Sequence, residues 1–248
     1  APQVVINSHY HNDHVWGTQV FIKEARIISS AKTYQQFDTL GQEEFEWYSA
    51  NAFKKLDEIQ RQYQPSADVE AQAALIGMLG YYAGLVEALP ILKVCKPNLT
   101  FDTQLNLYGD QRSAHLITFE GAHTGSDTVL YLPQDRIIFT GDLLFVHAHP
   151  YLSEGDPKLL LDALIRLLTF DASIFVPGHG PIGTAEDMHL MISYVEDCLR
   201  IGKELASAGV DDEAILQIPI PSKYAGWIMP HMFPENLISI SKRIETTI

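Results

Sequence analysis

His9-Tyr10-His11-Asn12-Asp13-His14 is the stretch that decides how this 248-residue chain is read. Three of the chain's ten histidines fall within these six residues, beside an aspartate. His9 and His11 are alternate residues, so an extended segment points both to one side. Asp13 and His14 follow where the chain must turn. Neutral imidazole and carboxylate are good ligands for zinc and neighbouring first-row metals. Val4-Val5-Ile6 leads straight into the cluster and reads as a buried strand with the cluster in the loop after it.

Metal sites draw ligands from several segments, and further segments of the right kind follow. Gly121-Ala122-His123-Thr124-Gly125-Ser126-Asp127 sits between two β-rich runs. Phe139-Thr140-Gly141-Asp142 is read as the end of a strand, and Val176-Pro177-Gly178-His179-Gly180 as the end of another. Each presents one ligand-type residue next to glycine, where backbone can approach a bound ion closely.

Around these motifs, strands are expected at residues 26–29, 104–108, 114–119, 128–132, 136–140 and 173–176. Residues 34–63 carry a helical period, with Gly41 as a break and Pro65 as the end; a second helical stretch, 69–89, closes at Pro90. Asp156-Pro157 opens a helix, as cap and first helical residue. Thr184 caps a longer helix that Gly209 stops. Residues 215–221 are β-like at most, and the tail ends in a short helical pattern.

The order HxHxDH, GxHTxxD, TGD, PGHG, spread over residues 4–181, resembles the metallo-β-lactamase superfamily, in its general metallo-hydrolase and glyoxalase II-like branch. The resemblance implies an α/β fold, an αβ/βα sandwich. The whole of 1–248 is expected to be a single domain of this type, with an all-helical insertion at about 32–97. In the family HxHxDH lies well inside the first half, whereas here it begins at residue 9. Part of the N-terminal half is therefore expected to be missing, its exposed strand faces covered by another chain or a swapped segment.

The resemblance also implies a ligand set: His9, His11 and His123 for one metal, Asp13, His14 and His179 for a second, and Asp142 between them. Two Zn2+ are expected, with iron or manganese as substitutes. Asp13 and Asp142 are the candidate catalytic residues of a binuclear hydrolase that uses a metal-bridging hydroxide on an ester, thioester, lactone or amide. The alternatives are a β-lactamase with an all-histidine/aspartate site and an iron-dependent sulfur dioxygenase. His147, His149 and Tyr151 follow Asp142 closely and are candidates for the substrate pocket, the two histidines on one side if that segment is extended. Asp127 either holds a ligand's free ring nitrogen or caps its own loop. Trp16 reads as packing.

Composition bounds the partners. A formal net charge of −14 repels phosphate backbones and anionic lipid, so a small-molecule substrate is expected and nucleic acid is not. The longest uncharged run, between Glu70 and Glu87, is shorter than the roughly 20 residues a membrane span needs, so no membrane role is expected. Ala73, Gly77, Gly80 and Gly84 place small residues at helical steps within it, for tight packing inside the protein or against a second copy, a homo-oligomer through the helical insertion. Cys95 and Cys198 lack ligand spacing and read as buried apolar residues. No signal or transit peptide is visible; localisation is left open, with the cytoplasm favoured.

Overall fold

Two of the three strands of the first sheet come from the apolar runs on either side of the histidine cluster. β1 (Val4–Ile6) leads into a single helical turn, α1 (Asn12–Val15), and β2 (Arg26–Ser30) runs directly into α2 (Ala31–Gln36). Ser30 makes that switch possible: its side chain accepts from the Thr33 amide and caps α2. Two long helices follow, α3 (Leu40–Gln62) and α4 (Val69–Ala88), and then β3 (Leu99–Phe101). The sheet is parallel, in the order β1-β2-β3. The computed structural model describes residues 2–62 and 69–245, and the chain forms two compact units, Ala1–Phe101 and Asp102–Ile248.

In the first unit Tyr10, Val15, Trp16, Phe37, Ala52 and Leu85 form a buried cluster. Trp16 packs edge-on against Phe45 and Tyr48, with ring centroids 5.9 and 5.8 Å away, as expected of a packing residue. Gly41 does not break the helical stretch. The break falls at residues 37–39, and Gly41 lies inside α3, where a Cβ would come 3.3 Å from the Gln36 carbonyl oxygen and 3.6 Å from the Tyr10 ring. The glycine there serves close approach. The expected stop at Pro65 lies outside the described residues. α4 closes in a 3-10 turn around Pro90. A Cβ at Gly77, Gly80 or Gly84 would meet nothing within 4 Å among the described residues. No helix among the described residues is long and apolar enough to cross a membrane.

The second unit is built on β4 (Gln104–Tyr108), β5 (Ser113–Phe119), β6 (Asp127–Leu132) and β7 (Ile137–Phe145), then α5 (Pro157–Leu167), β8 (Ile174–His179), α6 (Ala185–Ala208), α7 (Asp212–Ile215) and α8 (Met232–Glu245). The sheet order is β4-β5-β6-β7-β8. All neighbours are antiparallel except β7 and β8, whose parallel pairing requires the crossover that α5 supplies. Asp156 caps α5 by accepting from the Lys158 amide at 2.8 Å. Thr184 and Asp187 form a reciprocal capping box on α6. Leu143, Leu144, Phe175, Tyr194, Tyr224, Phe233 and Leu237 lie in one core.

Three expectations need correction here. β7 does not stop at Thr140 but continues to Phe145, with register shifts on both sides of Gly141. Residues 215–221 hold no strand; Ile215 ends the short helix α7, capped by Asp211. Cys198 is buried as expected, but Cys95 is only partly so.

Candidate metal centre

Ligand-type side chains gather in two sets, one in each unit. In the first unit the chain leaves β1 at Asn7, whose amide donates to the Ile28 carbonyl at 2.9 Å. The buried Asn7 side chain donates from Nδ2 to Thr18 Oγ1 at 3.1 Å. Sequence reasoning missed this anchor; the signal was a polar residue between an apolar strand and the cluster. The loop then delivers His9, fully buried, with Ser8 Oγ 3.0 Å from its Nδ1. His9 Nε2 and His11 Nδ1 stand 3.1 Å apart, so the alternate residues converge as the spacing predicts. The turn α1 follows, with the His14 amide donating to the His11 carbonyl at 3.0 Å. The His9 and His14 rings are 4.2 Å apart, and Asp13 Oδ2 lies 3.4 Å from His14 Nε2.

Between His11 and Asp13, the Asn12 side chain reaches α4. Its Nδ2 donates to Tyr81 Oη at 2.9 Å. No sequence signal marks this pair, because the two residues are 69 positions apart.

In the second unit, His123 lies on the loop between β5 and β6. Asp127 organises that loop: Oδ2 accepts from the His123 amide at 2.9 Å, and the carboxylate also accepts from the Thr124 amide and, at 2.8 Å, from the Thr124 hydroxyl. Of its two expected roles, these bonds are the capping one.

Asp142 stands on β7 at the irregular stretch around Gly141, where a bulge re-aims side chains. Its Oδ2 is 3.3 Å from His123 Nε2 and 3.4 Å from His179 Nε2. His179 ends β8 and stacks on Phe145 at 4.9 Å. Gly178 makes the approach of β8 to Asp142 possible, since a Cβ there would lie 1.9 Å from Asp142 Oδ1. Burial is the largest influence on His123 and lowers its pKa, but the carboxylates, Asp142 foremost, outweigh it and hold the imidazole above its ordinary value. The site therefore favours positive charge at that point.

The pocket candidates separate. His147 has positive φ (52°), and its side chain is 61% exposed, 3.8 Å from Asp187. His149 is fully buried against Tyr194, with Nδ1 3.0 Å from the phenol oxygen. The segment is not extended at His147, so the two histidines do not share a side. Tyr151 is 38% exposed, and its ring lies 6.4 Å from that of His123.

The donor chemistry, imidazole nitrogens and carboxylate oxygens, fits divalent first-row cations. The close approach of the Gly178 backbone to Asp142 is of the kind a small, charged site requires.

A family model described as the metallo-beta-lactamase superfamily matches residues 1–179. A comparison with curated proteins finds no match. Among solved structures, a metallo-beta-lactamase from Pontibacter korlensis is similar at 18% identity and a TM-score of 0.51, over 78% of this chain and 69% of its own. The stereoselective inverting sec-alkylsulfatase Pisa1 from Pseudomonas sp. is similar at 13% identity and a TM-score of 0.64, over 97% of this chain but only 41% of its own. At such identities these likenesses concern the fold, which is the mixed α/β fold of the family. With the family match covering well over half of its length, the chain belongs to the metallo-beta-lactamase superfamily.

Proposed function

We propose that the protein is a binuclear metal-dependent hydrolase of a small-molecule ester, thioester, lactone or amide. The observation that carries the reading is Asp142 Oδ2 set between His123 Nε2 and His179 Nε2. One carboxylate oxygen facing two imidazoles is the arrangement expected of a ligand shared by two cations. In this proposal His9, His11 and His123 hold one ion, Asp13, His14 and His179 hold the other, and Asp142 serves both. Two such ions, when bound, supply a hydroxide nucleophile near neutral pH and polarise the scissile carbonyl.

The chain's own residues supply the rest. Asp13, the exposed residue of its ligand set, would orient the nucleophile as well as ligate. Tyr151, exposed beside His123, and the exposed His147 are the candidates for contact with the substrate. Cys198 does not compete as a nucleophile: burial pushes it up to about 12, and it lies in the core of the second unit. The net charge of −14 supports a substrate that is not a nucleic acid.

The test is a substrate panel on zinc-loaded protein: aryl esters, homoserine lactones, S-lactoyl-glutathione, nitrocefin and a secondary alkyl sulfate. Hydrolysis that disappears with a chelator and returns with zinc supports the reading. Turnover of nitrocefin alone would move it to β-lactamase chemistry. Oxygen consumption by an iron-loaded protein that hydrolyses nothing would replace it with sulfur dioxygenation.

A further inference from the structure

Asn12 stands between two proposed ligands, His11 and Asp13, and is itself 4% exposed. Its carboxamide is engaged at both ends by one residue of the helical insertion. Nδ2 donates to Tyr81 Oη at 2.9 Å, and the Tyr81 hydroxyl lies 3.2 Å from Oδ1. Tyr48 of α3 continues the network, its hydroxyl oxygen 3.1 Å from that of Tyr81. The Tyr48, Tyr81 and Tyr82 rings pack edge to face, with Tyr48–Tyr81 and Tyr81–Tyr82 centroids 6.2 and 5.3 Å apart. Burial raises the pKa of both Tyr48 and Tyr81, so both phenols keep their protons near neutral pH.

The turn that carries Asn12 is weak by itself. α1 has four residues and no side-chain cap at its start. A single helical turn fixes several dihedrals for very few hydrogen bonds and does not hold its own geometry. Side chains help to anchor it: Asn7 Nδ2, which donates to Thr18, also stands 3.5 Å from the His14 carbonyl oxygen, and Asn12 reaches Tyr81.

We infer that Tyr81 is a positioning residue for the metal centre: through Asn12 it fixes the α1 turn, and with it the ligand atoms of His11, Asp13 and His14. This rests on the reading that those residues bind metal. It gives α3 and α4 a role in the metal site that the ligand motifs do not announce. The Tyr81 hydroxyl is shared between Asn12 and Tyr48 and acts on the turn through Asn12.

Zinc affinity of the whole chain, measured by competition with a chromophoric chelator, tests the inference with no reference to turnover. Tyr81→Phe removes only the hydroxyl and should weaken zinc binding by about tenfold, the lower end of what outer-shell losses cost. Asn12→Ala should give a loss of similar size, and the double variant should lose no more than the larger single one. The melting temperature of the zinc-free Tyr81→Phe protein should stay near that of the wild type. Wild-type zinc affinity in Tyr81→Phe overturns the inference, with or without a fall in melting temperature, since a fall alone would mark a merely structural hydroxyl. Additive losses in the double variant overturn it as well. If the wild type binds zinc yet hydrolyses nothing, the hydrolase reading fails and this inference stands. If Tyr81→Phe binds zinc normally while the wild type hydrolyses a panel substrate, the reverse holds.

Discussion

At the scale of single residues, Asp142 and Gly178 are a matched pair. Removing the carboxylate in Asp142→Ala should lower bound zinc to at most one ion per chain and reduce turnover by roughly 100-fold or more. Elemental analysis and the steady-state rate check this. Gly178→Ala sets a methyl group where the Asp142 Oδ1 now lies, 1.9 Å from the position of the new Cβ. Asp142 must move, so zinc affinity should fall by about tenfold or more even though no ligand is lost. A chelator titration equal to the wild type would show that the approach is not needed. His149 makes a prediction of a different kind. Burial holds its pKa down to about 4, against an ordinary value near 6.5. Between those values the unfolded chain binds a proton that the folded protein does not, so stability is fully present above about pH 6.5 and is lost as pH falls toward 4. His149→Gln should flatten that slope in urea melts taken across the window; an unchanged slope would assign it to other groups.

Elements show which parts of the fold are legible in the chain. Helix ends were: Asp156 at α5 and Thr184 at α6 cap where the residue types predict. Thr184→Ala should cost about 1 kcal/mol in equilibrium unfolding, and a loss of much less would mean that Asp187 alone carries the cap. The ligand motifs were legible because their residues are local, and the alternate His9 and His11 do converge. β7 was misjudged because a β-bulge leaves no periodic mark, and Gly141 reads locally as an end although pairing with β8 carries the strand on to Phe145. β3 escaped because Leu99-Thr100-Phe101 lacks the unbroken apolar run that marks the equally short β1. Gly41 was misread as a breaker because its reason, the neighbouring Gln36 carbonyl and Tyr10 ring, is tertiary. The supports of the site were least legible. Asn12 and Tyr81 meet across 69 residues, and no spacing rule reaches that far. For His147 and His149, alternation predicted a shared side, and one residue with positive φ undid it.

At the scale of the molecule, metal removal tests whether bound ions contribute to the stability of the fold. With free zinc about 1,000-fold above its dissociation constant, binding stabilises the folded state by roughly 4 kcal/mol. The chelated protein should melt at a clearly lower temperature by calorimetry, and equal curves with and without zinc would remove the ions from the stability of the fold. Family membership supplies the scaffold, and the ligands supply the chemistry to be tested. The most direct measurement is the zinc content of the purified chain after loading with excess zinc and gel filtration. Two ions per chain is the predicted result; one or none would contradict the shared role of Asp142 on which the account rests.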